Sequence, residues 1–195
     1  MNVTVRPDTH RASTLARRQA VLRAAVDVVA ERGVGGATHR EIATRAGVSL
    51  STTSYFFASI DELVLEALRF FVGETVARLD ALAGALAAQE LTVDQAIELF
   101  AGALSAVPER EVVAQFEAYL EVSRRPDVRT EVQAAMAAFE RLAEAALSAA
   151  GVDRAAEAAP AFLALVDGFA LQRIVRGDAP LRDGLRTLLA AYQAA

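Results

Sequence analysis

The sequence predicts an all-α protein of about nine helices, with a short-helix unit at the N-terminus and a longer helical bundle behind it. No segment sustains the period-two alternation of a half-buried strand, and turn residues recur at helix-length intervals. Three Ser/Thr-x-x-Glu/Gln boxes, Thr38/Glu41, Ser59/Glu62 and Thr92/Gln95, each mark a helix start, because the two side chains satisfy orphan amides at the N-terminus.

The first helix is expected from about Thr14 to Arg32, with Val21, Leu22, Ala25, Val28 and Val29 on one face. Gly33, Gly35 and Gly36 stop it. The second begins at His39 behind the Thr38 cap. Ala43 is small enough to let another helix cross closely, and Gly47 supplies the backbone freedom of a sharp turn. Ile42 and Val48 are the apolar pegs, Ser49 can cap the third helix, and Leu50 to Tyr55 form it. Ser59 opens a long fourth helix that carries Leu63, Ala67, Phe70, Phe71 and Leu82 and leads out of the first unit into the second. Thr92 opens a fifth, ending near Ala106. The sixth runs from Pro108 to before Pro126, with Val112, Val113, Phe116, Tyr119, Leu120 and Ser123 inward. The seventh runs from about Asp127 to Gly151, with Met136, Phe139 and Leu142 inward. The eighth ends at Arg176, and Pro160 means that it either starts near Ala159 or kinks there. The ninth follows Pro180. This places a flexible arm at 1–13, a helix-turn-helix domain at 14–60 and a second helical domain at 61–195.

The second and third helices with the tight turn between them form a helix-turn-helix. Ser51, Thr52 and Tyr55 on the third are short polar or flat side chains without negative charge, suited to a major groove. The net charge of −5 looks wrong for such a partner until it is divided. Residues 1–58 hold eight arginines against four acids, and residues 59–195 hold twelve against twenty-one. The basic part coincides with the helix-turn-helix, as phosphate neutralisation requires. Arg17, Arg18, Thr38, His39, Arg40 and Tyr55 are the expected phosphate contacts. Ser51 and Thr52 are expected near bases, and Ser49 belongs to the same surface. Thr53 either reaches a base or packs under the recognition helix.

Arg18 to Leu63 resembles the N-terminal domain of the TetR (tetracycline-repressor-like) transcriptional regulators. The resemblance rests on A-E-R-G (Ala30–Gly33), T-H-R-E-I-A-T-R-A-G-V-S (Thr38–Ser49), Y-F-F (Tyr55–Phe57) and A-S-I-D-E-L (Ala58–Leu63) in that order. The family often has Gly where Ser51 stands, and Tyr and Lys, which usually touch phosphates, where Ser54 and Ile60 stand.

Composition narrows the alternatives. With 195 residues and 54% hydrophobic content the chain can build a real core. It has no cysteine, so disulfides, zinc–thiolate sites and thiol nucleophiles are excluded. Residues 1–13 lack the apolar run of a secretion signal, and charges interrupt the apolar stretches before the ~18 residues of a membrane span. A soluble, cytoplasmic protein without membrane partners is expected. His10 and His39 are the two histidines, and neither sits in a metal-binding or nucleophile–base spacing. No Gly-rich phosphate loop follows a strand. No enzyme, metal site or cofactor is expected.

The eighth helix is apolar nearly all round between Ala161 and Val175, and such a helix must be covered on every side. The ninth has a stripe of Leu181, Leu185, Leu188, Leu189 and Tyr192. The two either cover each other within one chain or pair with a second copy. The resemblance implies the second, a homodimer through Phe162, Val166, Ile174, Leu185, Leu188, Leu189 and Tyr192, which suits a palindromic operator. Phe100, Phe116, Tyr119, Phe139, Phe162 and Phe169 would converge on one interior. Such aromatics are more often core than ligand wall. Arg173, four residues beyond Phe169, is a charge that should be paired or functional there, with Gln115 and Glu117 as candidate partners. The resemblance implies a small apolar effector in this interior, and Arg173 suggests that it carries an acidic or hydrogen-bond-accepting group. The expected function is a ligand-responsive DNA-binding regulator, a repressor released by its effector. The alternative is a helical ligand-binding or interaction protein of the same fold whose DNA contacts have weakened.

Overall fold

The computed structural model describes residues 8–88, 91–177 and 180–193, without the side chains of 8–12, 127 and 191–193. Nine α-helices are described: α1 (Asp8–Arg32), α2 (His39–Ala46), α3 (Leu50–Phe56), α4 (Ile60–Ala87), α5 (Val93–Ser105), α6 (Glu109–Arg124), α7 (Arg129–Ala149), α8 (Ala155–Arg176) and α9 (Leu181–Gln193). Short 3-10 turns at Val34–Gly36 and Pro126–Val128 link α1 to α2 and α6 to α7.

All three predicted boxes cap helices. The hydroxyls of Thr38, Ser59 and Thr92 accept from the amides of Glu41, Glu62 and Gln95. At Thr92 the reciprocal bond from its own amide to the Gln95 side chain is also made, at 2.9 Å. Two boundaries differ from expectation. The first described residue, Asp8, is already helical, ahead of the start expected near Thr14. The arm expected at 1–13 is therefore partly helical, and its first seven residues lie outside the described ones. α8 starts at Ala155, ahead of Pro160, and continues past it, with the exposed ring in the second turn. Only the bond to the exposed Ala156 carbonyl is lost, and water can serve that oxygen.

Two apolar clusters build the interior. In the first, Val21, Leu22, Ala25, Val28 and Val29 of α1 meet Ile42 of α2, Phe57, and Leu63, Val64, Ala67 and Leu68 of α4. Ala118 of α6 and Val132 of α7 close this cluster from the far side, so the N-terminal unit is packed directly onto the bundle. The second cluster joins Leu79 and Leu86 of α4 to Ile97 and Phe100 of α5, Leu142 and Leu147 of α7, Phe162 and Val166 of α8, and Leu185 and Leu189 of α9. At 28 residues, α4 is about 42 Å long and contributes to both.

The α6 and α7 faces differ from those expected. Leu120, Ser123 and Met136 are exposed, and α6 buries Val112, Ala114, Ala118 and the carboxylate residue Glu121 instead. The cause is that α6 packs across α1 as well as α7 and α8, which rotates its inward side toward Glu121. Glu121, 2% exposed, is paired by Arg125 at 2.8 Å and Arg124 at 3.2 Å. Arg125 reaches on to the Asp61 carboxylate at 2.8 Å and ties the end of α6 to the start of α4.

A candidate nucleic-acid interface and an adjoining cavity

The turn between α2 and α3 forms from local chemistry. Gly47 adopts φ 65° and ψ 31°, the left-handed region that only glycine enters freely. Its amide and that of Val48 return to the carbonyls of Thr44 (3.2 Å) and Ala43 (3.0 Å), ending α2 while Val48 packs inward. Ser49 then caps α3 by accepting from the Thr52 amide at 3.2 Å. Its hydroxyl also lies 2.8 Å from the hydroxyls of Ser51 and Thr52, giving α3 a linked row of three.

The proposed contact residues are disposed unequally. Arg17, Thr38, Arg40, Ser49, Ser51 and Tyr55 are exposed, Tyr55 at 80%, and Thr52 is half-buried. Thr53 is fully buried and donates to the Leu50 carbonyl at 2.8 Å, so it supports α3 from beneath and cannot reach a base. Arg18 bonds Glu66 at 3.0 Å and lies 5.1 Å above the centre of the Phe57 ring. Its guanidinium holds α1 on α4, which is a structural duty. Arg23, Arg32 and Arg45 are likewise paired, with Glu74, Glu41 and Glu31. The Arg45 hydrogen bond holds the Glu31 carboxyl below its ordinary range. Arg17 and Arg40 therefore remain as arginines of this unit without an acidic partner among the described residues. His39, in the first turn of α2, is half-buried, with a buried Nδ1 that has no partner. Ser54 turns its hydroxyl to the Leu50 carbonyl, and Ile60 packs on the N-terminal core.

A cavity of about 410 Å³ lies in the bundle. Phe71, Thr75, Leu79 and Leu82 of α4 form one wall, with Phe139 and Leu142 of α7 beside them. Val112 and Gln115 of α6 and Val166, Asp167 and Phe169 of α8 form the other. A narrow extension passes Phe71 and Thr75 to Tyr119, Val132 and Ala135. Phe139, Phe169 and Arg173 line the main space, and Tyr119 lines only the extension. Phe100 does not reach either, because it packs edge-on against Phe162, 5.1 Å between centres, in the core. Phe116 also stays outside the lining, edge-on to Tyr119 at 5.8 Å.

Arg173 is accounted for within the fold. Its guanidinium donates to the carbonyls of Leu104 (3.3 Å), Ser105 (3.3 Å) and Val107 (2.9 Å) at the end of α5. A cation there satisfies orphan carbonyls and the negative end of the helix dipole. Neither candidate partner is used. Glu117 lies toward Gly33 on the other side of α6, and Gln115 donates to the Asp167 carboxylate at 3.2 Å and the Tyr119 hydroxyl at 2.9 Å. Asp167 was missed from the sequence, where it reads as a polar break in an apolar run. Burial pushes its carboxyl up to about 6, against the downward pull of the Gln115 hydrogen bond. Burial, followed by the Asp167 charge, likewise raises the Tyr119 hydroxyl.

The pairing surface expected on α8 and α9 changes as well. Phe162, Val166, Leu185 and Leu189 are buried within the single chain and are core residues. Ile174 and Leu188 are half-buried, and the Tyr192 side chain lies outside the described residues. The face of α8 left open is Ala161, Ala164, Gly168, Leu171 and Val175, with Leu171 48% and Val175 81% exposed. Among the described residues α8 is the one helix long and apolar enough to cross a membrane, contrary to expectation, at a mean hydropathy of 1.4. In this fold it packs on α7 and α9.

Comparison with known proteins agrees with both halves of this architecture. Residues 21–67 match the family model of the bacterial regulatory proteins of the tetR family, and residues 87–194 match the tetracyclin repressor-like C-terminal domain. A TetR-family protein from Streptomyces coelicolor A3 is 31% identical, with 90% of this chain and 97% of that chain covered and a TM-score of 0.68. The multidrug binding protein EbrR, solved with proflavin, is 30% identical over 90% of this chain and 99% of its own, with a TM-score of 0.62. The HTH-type transcriptional regulator LuxR of Vibrio harveyi is 38% identical over 71 residues, which span 36% of this chain and 34% of that protein. With both its helix-turn-helix unit and its helical bundle matched, the chain belongs to the TetR family of transcriptional regulators.

Proposed function

We propose that the protein is a dimeric repressor that binds a palindromic operator and is released from it by a small, largely apolar effector. The observation that carries this reading is the double use of α4. Its first turns, Leu63 to Leu68, pack the helix-turn-helix unit, and its middle, Phe71 to Leu82, walls the cavity. A ligand that prefers one position of α4 must also prefer one position of the DNA-reading unit, which is the coupling that release requires. The cavity is within the size range of small-molecule sites and mostly apolar in lining. EbrR, similar over nearly its whole length, has been solved with proflavin, ethidium and malachite green.

DNA contact is assigned to Arg17, Thr38, His39, Arg40 and Tyr55 at phosphates and to Ser51 and Thr52 near bases, with Ser49 holding the row of hydroxyls. Dimerisation is assigned to the open face of α8. Ala161, Ala164, Gly168, Leu171 and Val175 follow one another at spacings of three and four, the pattern of a helix–helix seam, and the small residues permit close approach. A gel shift with the DNA flanking the protein's own gene tests the reading. Retardation that is abolished by an effector supports it. Absence of retardation at low salt would favour the second reading, a ligand-binding protein whose DNA contacts have lapsed at Ser54 and Ile60.

A further inference from the structure

The cavity contains one carboxylate, Asp167, that no cation neutralises. Each neighbouring charged group is already committed. Arg78 of α4 is paired with Glu111 of α6 at 3.0 Å, and Arg173 of α8 is spent on three carbonyls of the α5–α6 connection. The groups facing Asp167 are Gln115 and Tyr119 of α6, both uncharged. Opposite, on α4, Thr75 is 4% exposed and lines both the cavity and its extension, and its Oγ1 has no hydrogen-bond partner. Phe71, Phe139 and Phe169 supply the surrounding aromatic faces. A half-buried carboxylate with no counter-ion carries a desolvation cost that a matching cation would recover. Aromatic faces attract the same charge.

Resting on the reading of this cavity as the effector site, we propose that its effector is an organic cation, held by Asp167 and the aromatic faces, with the Thr75 hydroxyl binding a polar group on the same molecule. This reverses the preference for an acid that Arg173 suggested from the sequence, because that guanidinium, although it lines the cavity, is committed to the carbonyls at the end of α5. Gln115 donates to the Asp167 carboxylate. The same bond fixes the orientation of Asp167 before the cation arrives, so little ordering is left to be done on binding.

The pH dependence follows from the direction of the Asp167 shift. With its carboxyl raised to about 6, Asp167 is ionised at pH 8 and protonated at pH 5, so cation affinity is present above pH 6 and lost as pH falls through it. Three probes of nearly equal shape test the proposal on the full-length protein by fluorescence titration: (naphthylmethyl)trimethylammonium, its neutral carbon isostere neopentylnaphthalene, and naphthylacetate. The expected result at pH 8 is that the cation binds at least ten-fold tighter than the neutral compound and that the acid binds weakest. Asp167→Asn should abolish the cation's advantage without loss of neutral binding, and Asp167→Glu should retain most of it. In the wild type the advantage should shrink by about ten-fold between pH 7 and pH 5, an arm that needs no variant. If the neutral compound or the acid binds as tightly as the cation to the wild type, or if the advantage is undiminished at pH 5, the cation assignment is wrong while the cavity remains the effector site. If none of the three binds, the effector-site reading fails and takes the cation assignment with it.

Discussion

Among the described arginines of the N-terminal unit, Arg17 and Arg40 are the two left for the proposed phosphate contacts, because Arg18, Arg23, Arg32 and Arg45 are committed to carboxylates. Each phosphate contact releases about one counterion. Arg40→Ala is therefore expected to weaken binding to all sequences alike and to flatten the slope of log affinity against log salt by about one unit. Gel shifts at several salt concentrations measure it, and an unchanged slope would remove Arg40 from the phosphate set. Arg173 makes the opposite kind of prediction. Arg173→Met leaves the carbonyls of Leu104, Ser105 and Val107 short of a donor and should cost about 1–2 kcal/mol of stability. Thermal melting reads that loss, while the ranking of cationic over neutral probes should be unchanged. A variant that melts like the wild type would mean that the cap contributes nothing to the end of α5.

At the scale of elements, the contact between α8 and α9 turns on one glycine. A Cβ built on Gly184 would lie 2.3 Å from the end of the Phe169 ring, so α9 approaches α8 at this distance only because Gly184 has no side chain. A mid-helix glycine costs about 0.5–1 kcal/mol relative to alanine. The cost of forcing a methyl group into that contact, about 1–3 kcal/mol, is larger. Gly184→Ala should therefore lower the melting temperature. In a Phe169→Ala background, where the ring is gone, the same change should raise it. If Gly184→Ala has the same sign in both backgrounds, Phe169 does not constrain α9. α6 shows how tertiary packing overrides a pattern: its apolar stripe would turn Leu120 inward, yet Glu121 is the buried residue, since Arg124 and Arg125 neutralise it where α6 meets the start of α4.

In the whole molecule, the open face of α8 is the proposed site of assembly. The α8 face is apolar and small along Ala161, Ala164, Gly168, Leu171 and Val175, and a second copy is the occupant that gives two heads for two half-sites. Leu171→Asp with Val175→Asp should give a folded monomer by sedimentation, with far-UV circular dichroism retained, because both side chains are exposed in the single chain. Operator affinity should fall with the loss of the second head. A double variant that sediments as a dimer would place the interface elsewhere.

Local chemistry made the helix-turn-helix legible in the sequence. The Thr38, Ser59 and Thr92 caps, the left-handed Gly47 and the apolar face of α1 depend on residues within a turn or two of one another, and each is written in adjacent positions. The basic N-terminal part was legible for the same reason, since charge can be counted without a fold. What the sequence could not show is which partner each side chain finds across the bundle. Position on a helix alone puts Arg18 at a phosphate and Arg173 at an effector, yet their partners within the fold lie 48 and at least 66 residues away. Phe100 and Phe162 read as ligand wall and pairing surface, and they pack on each other. Asp167 shows the limit most clearly: a carboxylate becomes a half-buried charge without a counter-ion only when α4, α6 and α8 converge and every nearby arginine is already occupied. Periodicity and capping are local energies that a sequence determines directly, whereas desolvation and pairing are decided by what tertiary packing brings within a few ångströms.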